Sequence, residues 1–364
     1  MAIQRNAALD NLKGLLIISV VYVHFYDLLG QKTALMFTIR TLLLTVQMPL
    51  FLFLSGYFGK HVEKRRQSAW QDYLIPFLLF NTIYYLIRSG QEDITFGLLR
   101  PLNMYWFLLT LLIIRLIMPE LLHIRWLMPV SIIVALLAGG DKDFGRVLSL
   151  SRTVCFLPFY LMGYYCTPEH MRRIRKIPIP VAAMGAMAGA LLALWLTDTM
   201  PLDQDASHPF QLVNSYTKQG LTPWEGIVFR SAIYIAAPLL GILLIRLMPA
   251  RKGILTGIGR GSMTVYLLHA FPMLWVVEYW DVLCRWFNRL LPMMQGIAYP
   301  GRLCHGIPQM ICLGIYAFLV SWMLSSPPVV RTYNRLMAAA QRMVFYPEKS
   351  GKSEQQVESV QEIR

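Results

Sequence analysis

Four ionisable residues near the start of the chain are spaced to lie along one side of a helix. Asp10, Lys13, His24 and Asp27 follow one another at offsets of 3, 11 and 3 residues, inside a segment that is otherwise apolar. An α-helix turns about 100° per residue, so eleven steps bring Lys13 and His24 onto one stripe, roughly 16 Å apart along the axis. The spacing therefore predicts a polar line along an apolar helix.

An imidazole on such a line suits proton transfer. His24 is the only group of the four whose unperturbed pKa lies near neutrality, which fits a general base. Asp27, one helical turn further on, would hold the His24 ring or receive a hydroxyl of a substrate. Charged groups in a membrane are costly unless they face protein or water, so we expect the stripe to face a hydrated path running from the inner mouth past the middle of the helix. The alternative is that His24 only bonds a neighbouring helix.

Composition places the chain in a membrane. Of its 364 residues, 56% are hydrophobic and 15% are charged, and the mean hydropathy is +0.47. Soluble domains carry about 25% charged residues, so a soluble enzyme, a disordered chain and a secreted disulfide scaffold are excluded. The net charge of +14 would favour nucleic acid in a soluble protein, but basic loops also orient membrane spans. We therefore expect a lipid bilayer as a partner, and no nucleic acid.

The hydrophobic segments predict the fold class. A bilayer core about 30 Å thick needs about 20 mostly apolar helical residues. We expect an all-α polytopic membrane bundle of about ten transmembrane helices, with residues 1–330 as the membrane domain. Residues 331–364 would be a cytoplasmic tail that begins as an amphipathic helix and ends disordered. The ten windows are Leu12–Leu29, Arg40–Phe58, Tyr73–Ile87, Leu102–Met118, Ile124–Ala138, Thr153–Cys166, Ile179–Thr197, Gly226–Met248, Ser262–Asp281 and Pro308–Leu324.

Basic residues predict the orientation of these spans. With the N-terminus in the cytoplasm, the inner segments hold 19 lysines and arginines and the outer segments hold ten. This bias is typical of a chain with both termini in the cytoplasm. Two outer connections, Asp198–Glu225 and Val282–Ile307, are long enough to border a substrate mouth.

Six segments, in order along the chain, carry a family resemblance. They are Leu9–His24 (LDNLKGLLIISVVYVH), Met48–Phe58 (MPLFLFLSGYF), Tyr73–Phe77 (YLIPF), Tyr105–Leu108 (YWFL), Arg152–Tyr164 (RTVCFLPFYLMGY) and Ile258–His269 (IGRGSMTVYLLH). Together they resemble the acyltransferase-3 family of integral membrane O-acyltransferases, from about residue 9 to 325, and look nearest to its fucose 4-O-acetylase-like branch. That family's mark is a basic residue, ten residues and then a histidine, which Lys13 and His24 match.

The resemblance implies a multi-pass enzyme of the bacterial cytoplasmic (inner) membrane. Such an enzyme takes an acyl group, most often acetyl, from cytoplasmic acetyl-CoA or another acyl-CoA. It passes the group to a hydroxyl of a cell-envelope sugar or polysaccharide. By the same resemblance His24 is the catalytic histidine and Lys13 the basic member of the pair, at a position where many relatives have arginine. No metal and no tightly bound cofactor is implied, because acyl-CoA acts as a substrate.

Acyl transfer needs a site for the donor and a group that stabilises an oxyanion. The phosphates of CoA favour a basic cytoplasmic mouth, for which Arg65, Arg66 and Arg260 qualify beside Lys13. The glycine-rich stretch Gly257–Ser262 opens a helix and would bind phosphate, or serve only as a helix cap. The candidates for the oxyanion donor are Arg40, Tyr105, Trp106 and Tyr266.

Three further residues are candidates for the site. Asp10 flanks the polar stripe, and Arg152 begins a span on the outer side, where it would meet an acceptor. His269 lies one helical turn from Tyr266 on the same face, and the family resemblance supports a role for it.

Two other interpretations stay open. Intramembrane charges also suit a secondary transporter of a small polar solute, and the third interpretation is a non-catalytic membrane partner of a polymer synthase. The charges concentrate on the first span, which favours the enzyme. The acceptor, the length of the acyl group and the oligomeric state are left open by the sequence.

Overall fold

The computed structural model describes residues 6–29, 34–89, 97–140, 149–199, 210–212, 214–278 and 307–344. All regular secondary structure in these residues is helical, which confirms the all-α fold class. A π-helical turn, Trp70–Leu74, joins the helix that ends at Ala69 to the helix that begins at Ile75. In chain order the helices are α1 (Ala7–Leu29), α2 (Ala34–Phe58), α3 (Val62–Ala69), α4 (Ile75–Arg88), α5 (Trp106–Leu121), α6 (Leu127–Leu137), α7 (Leu150–Tyr165), α8 (Pro168–Lys176), α9 (Ile179–Thr199), α10 (Pro223–Leu247), α11 (Ile254–Arg260), α12 (Ser262–Leu268), α13 (Ala270–Glu278), α14 (Ile307–Leu324) and α15 (Pro327–Val344).

Helical backbone lies within each of the ten windows predicted from hydropathy. By length and composition, four of the described helices are able to cross a membrane: α1, α2, α9 and α10. The helices α14 and α15 pass the same test only as a pair, with a bend of 57° between them. The number of crossings and the side of the termini stay predictions.

The amphipathic tail helix begins earlier than the predicted domain boundary. Helix α15 starts at Pro327, so the division between residues 330 and 331 falls inside it. Residues 345–364, which we predicted to be disordered, lie outside the described residues, as do residues 282–306 of the second outer connection. The first outer connection is described only in part.

The surface of α9 is that of a helix with one side in lipid. Met184, Met187 and Leu191 are 67%, 61% and 60% exposed, whereas Ala186 and Ala193 are buried. Helix α9 packs against α10. Large apolar side chains facing outward, with small residues at the helix contact, are typical of helices packed within a membrane.

Helix α1 lies inside the bundle, so its polar stripe faces other helices. It packs against α2, α11, α12 and α14. Leu12 and Val21 have no exposed surface, and only 25% of the Lys13 side chain is exposed. Burial of this helix explains how the stripe is kept away from lipid.

The contact between α1 and α11 depends on glycine. A methyl group added at Gly259 would overlap the carbonyl oxygen of Asp10, and one added at Gly14 would overlap that of Leu255. Small residues allow two backbones to approach closely in a membrane bundle. Gly259, which belongs to the stretch considered for phosphate binding, therefore has a packing reason to be glycine.

Gly259→Ala is expected to push α11 away from α1 and to lower the free energy of unfolding by about 1–3 kcal/mol, as overpacking does. Gly257→Ala is the matched control, because a methyl group there meets nothing within 4 Å and alanine favours a helix. Thermal unfolding of the detergent-solubilised variants measures both. Equal melting temperatures for the two variants would contradict this account of the contact.

Arg230 links several helices from a fully buried position. It is 2% exposed. Its guanidinium donates to the carbonyl oxygens of Ala135 at 2.8 Å and Asn214 at 3.2 Å, and to the sulfur of Cys155 at 3.1 Å. It also lies 4.7 Å from the centroid of the Tyr216 ring. One side chain thus joins α6, α7 and α10 to the segment that precedes α10.

Candidate functional site

Two neighbouring cavities lie along the polar stripe of α1. The lysine cavity, lined by Lys13, has a volume of about 270 Å³. The histidine cavity, lined by His24, has a volume of about 60 Å³. Val20, Met48 and Tyr266 line both, and we call these three residues the shared wall.

Lys13 and His24 line different cavities, and the side chains of the shared wall line both. One continuous hydrated path along the stripe, which the spacing led us to expect, stays a prediction. The Tyr266 hydroxyl donates a hydrogen bond to the carbonyl oxygen of Met104. This bond holds the Tyr266 ring in place at the junction.

The lysine cavity brings two cations to a largely apolar space. Lys13 comes from α1 and Arg115 from α5, and Phe51 is one of the apolar residues between them. Arg115 is 8% exposed. It donates to Asp72 at 3.3 Å and lies 4.6 Å from the centroid of the Tyr73 ring. Cations beside an apolar space suit a long ligand that carries anionic or carbonyl oxygens.

Asp10 holds two of the predicted donor-binding residues together. Its carboxylate lies 2.8 Å from the Lys13 ammonium and 3.3 Å from the Arg260 guanidinium. The Asp10 side chain is 8% exposed, and the Arg260 side chain is 43% exposed. Two cations share one carboxylate here, so the group of three keeps a net positive charge close to the lysine cavity.

The other predicted donor residues lie elsewhere. Arg66 pairs with Glu120 at 2.8 Å on an exposed surface, and neither Arg65 nor Arg66 lines the lysine cavity. Lys60 donates to the carbonyl oxygens of Tyr164 and Cys166, both at 2.7 Å. Lys60 thus satisfies the end of α7, and a donor-binding role for Arg65 and Arg66 stays a prediction.

Several polar side chains line the small histidine cavity. Gln47 from α2, Trp106 from α5, Arg152 from α7 and Gln211 line it together with His24. Arg152 donates to the Gln211 side-chain oxygen at 3.2 Å and lies 4.5 Å from the centroid of the Trp106 ring. Hydrogen-bonding groups and an aromatic ring therefore surround an imidazole.

Asp27 also lines the histidine cavity, and its carboxylate is paired with Arg40 at 2.5 Å. Arg40 is 5% exposed and is not among the residues that line this cavity. Arg40, a candidate for the oxyanion donor, instead lies behind Asp27 and neutralises it. A role for Arg40 as the oxyanion donor stays a prediction.

Two other candidates for the oxyanion donor are engaged with backbone. The Tyr105 hydroxyl donates to the carbonyl oxygen of Leu267 at 3.3 Å, and that of Tyr266 donates to Met104. Of the four candidates, Trp106 is the one whose side chain lines the histidine cavity without such a bond in the described residues.

His269 lies directly beside His24. The two ring centroids are 5.3 Å apart, at an interplanar angle of 39°. His269 has no exposed surface, and its Nδ1 lies 2.8 Å from the carbonyl oxygen of Tyr266 and 3.1 Å from that of Val265. Its Nε2 is buried and has no hydrogen-bond partner among the described residues. The fold thus pairs two histidines that are 245 positions apart in the chain.

Sequence reasoning missed three residues of the two cavities. Arg115, Gln47 and Gln211 line the cavities but are not among the candidates chosen from the sequence. Gln47 is 3% exposed and accepts a hydrogen bond from Ser19 at 3.2 Å. Uncharged polar residues inside apolar windows are a signal that would have found Gln47, because such groups need a partner in a membrane.

A comparison with known families identifies the family of the chain. A family model described as an acyltransferase domain, that of the acyltransferase-3 family, matches residues 6–326. This range includes both cavities and every described helix except α15. No curated protein and no solved structure matches the chain closely enough to add a second comparison.

Proposed function

The chain belongs to the acyltransferase-3 family of membrane acyltransferases, and from that premise we propose that it moves an acetyl group from acetyl-CoA to a hydroxyl of a cell-envelope sugar. The observation that carries this proposal is the pair of adjoining cavities. A cation-bearing cavity and a histidine-bearing cavity adjoin at Val20, Met48 and Tyr266, which suits a donor site next to a reaction site.

The lysine cavity is the proposed donor site. Lys13 and Arg115 would bind phosphate or carbonyl oxygens of the CoA arm, and the apolar wall would pack against its hydrocarbon parts. Arg260 lies next to Lys13 through Asp10 and extends this positive region towards the exposed surface. For the thioester to reach His24, the Tyr266–Met104 contact must open during turnover.

His24 acts as the general base. It takes the proton of the acceptor hydroxyl while that oxygen forms a bond to the carbonyl carbon of the thioester. The carbon–sulfur bond then breaks, and the CoA thiolate leaves with the proton that His24 returns. The products are an O-acyl ester and free CoA thiol, so atoms and charge balance without a further reactant.

The other groups of the histidine cavity suit an acetyl donor and a sugar acceptor. Arg152 and Trp106 line the space in which negative charge develops on the carbonyl oxygen, and donors there stabilise the transition state. Asp27, Gln47 and the Trp106 ring suit the hydroxyls and the apolar face of a sugar. A cavity of about 60 Å³ fits a group as small as acetyl better than a long acyl chain.

Mass spectrometry of envelope glycans tests the proposed function. Cells with the wild-type gene should carry an acetyl-sized mass increment that is absent without the gene. Cells that express His24→Ala at equal membrane levels should also lack it. Identical glycan masses in all three strains would contradict the proposed acceptor class.

Lys13→Met and Arg115→Met are each expected to raise the KM for acetyl-CoA about tenfold, because each removes one charged hydrogen-bond donor worth about 1.5 kcal/mol or more. Arg125→Met, at an exposed position after α5, is the control and should leave KM unchanged. Steady-state release of CoA thiol measures these values. A fall in kcat at unchanged KM would place Lys13 and Arg115 in the chemical step instead of the donor site.

A further inference from the structure

The protonation of His269 follows from its hydrogen bonds. Its Nδ1 lies within hydrogen-bond distance of two carbonyl oxygens, those of Val265 and Tyr266. Carbonyl oxygens only accept, so Nδ1 must carry the proton. In a neutral imidazole the other nitrogen, Nε2, is then a bare acceptor.

The bare Nε2 of His269 lacks a donor although it is buried. In this structure no described residue, His24 included, donates to it, and an unsatisfied buried polar atom costs about 1–3 kcal/mol. The His24 ring is the adjacent group that can donate, with its centroid 5.3 Å away. A separation of this size leaves room for one N–H···N bond of about 3 Å between two imidazole rings.

We propose that His269 is the positioning residue of His24, a role that rests on the proposed function. One N–H of His24 donates to Nε2 of His269 once the two adjacent rings turn towards each other. The other His24 nitrogen is then free of its proton and faces the histidine cavity as the base. When His24 takes the hydroxyl proton it becomes an imidazolium, and its bond to Nε2 gains strength because the donor is now charged.

A neutral ring is a suitable partner at this place. A carboxylate in the same position would add a buried negative charge, which is costly in a membrane bundle. Asp27, the carboxylate closest to His24 in the chain, is already paired with Arg40. His269 fixes the tautomer of His24 without adding charge.

Two substitutions separate this role from a structural one. His269→Asn keeps a donor near the Nδ1 position for the carbonyl oxygens of α12 and removes the acceptor. His269→Gln places an oxygen near the Nε2 position and loses the Nδ1 donor. Positioning predicts that His269→Asn lowers kcat about 10²-fold at unchanged KM for acetyl-CoA, while His269→Gln stays within about tenfold of the wild type. Thermal unfolding of both variants checks that they fold.

The opposite order of the two variants, or equal losses in both, would overturn the proposal. An enzyme that is insensitive to both changes would overturn it as well. These outcomes leave the proposed function standing as long as the wild type transfers acetyl groups and His24→Ala does not.

An NMR measurement that does not depend on catalysis tests the ring pair even if the wild type shows no acetyl transfer. In ¹⁵N-histidine-labelled protein, the ring-nitrogen resonances of His24 should move in His269→Asn and stay in place in His123→Ala. His24 resonances that do not respond to the loss of His269 would overturn the proposal. A response without acetyl transfer would retain the ring pair and reject the proposed reaction.

Discussion

His24→Ala is expected to reduce kcat for acetyl transfer about 10³-fold, within the range that general bases contribute. The KM for acetyl-CoA should stay within about threefold, because the donor contacts of Lys13 and Arg115 lie in the other cavity and act on binding. Purified protein in detergent, with acetyl-CoA and a glycan acceptor, gives both values from the release of CoA thiol.

The control for this substitution is His123→Ala, at an exposed histidine that follows α5. It should retain full activity. Transfer that survives in His24→Ala would remove the histidine from the mechanism. If CoA is never consumed, and uptake of a polar solute persists in His24→Ala, the protein is a transporter and the proposed function is wrong.

Arg230→Met is expected to lower the free energy of unfolding by about 3 kcal/mol or more, the cost of breaking a buried charged network. The substitution leaves the carbonyl oxygens of Ala135 and Asn214 without their donor. It also removes the cation that lies against Tyr216. Denaturant or thermal unfolding in detergent measures the loss, and the yield of folded protein should fall with it.

Two further variants serve as comparisons for Arg230→Met. Arg172→Met, at a side chain that is 72% exposed, should change stability by less than about 0.5 kcal/mol. Arg230→Lys should fall between the two, because a lysine keeps the charge but reaches fewer acceptors at once. Arg230→Met protein as stable as the wild type would show that other contacts hold α6, α7 and α10 together.

The fold class was predictable because hydrophobic length is a local property of the sequence. Each apolar window contains a helix, and α1 carries its polar stripe where helical geometry places it. The close approach at Gly14 and Gly259 was not predictable, since it joins positions far apart in the chain. The bend between α14 and α15, by contrast, lies at Pro327 and Pro328, and proline ends or kinks a helix.

The site was predictable along one helix and not across helices. The spacing of Lys13 and His24 shows that they share a stripe, and the structure places each of them at a cavity. No local pattern indicates that Arg115 completes one cavity and Arg152 the other, because α5 and α7 come together only in the fold. The same holds for the pairing of Arg40 with Asp27, which joins α2 to α1.

The shared wall bears on the energy supply of the cell. A water column joining charged residues across a bilayer would conduct protons, and each elementary charge that moves through 100 mV dissipates about 2.3 kcal/mol. Val20, Met48 and Tyr266 line both cavities, so a water column joining Lys13 to His24 would have to pass these three side chains.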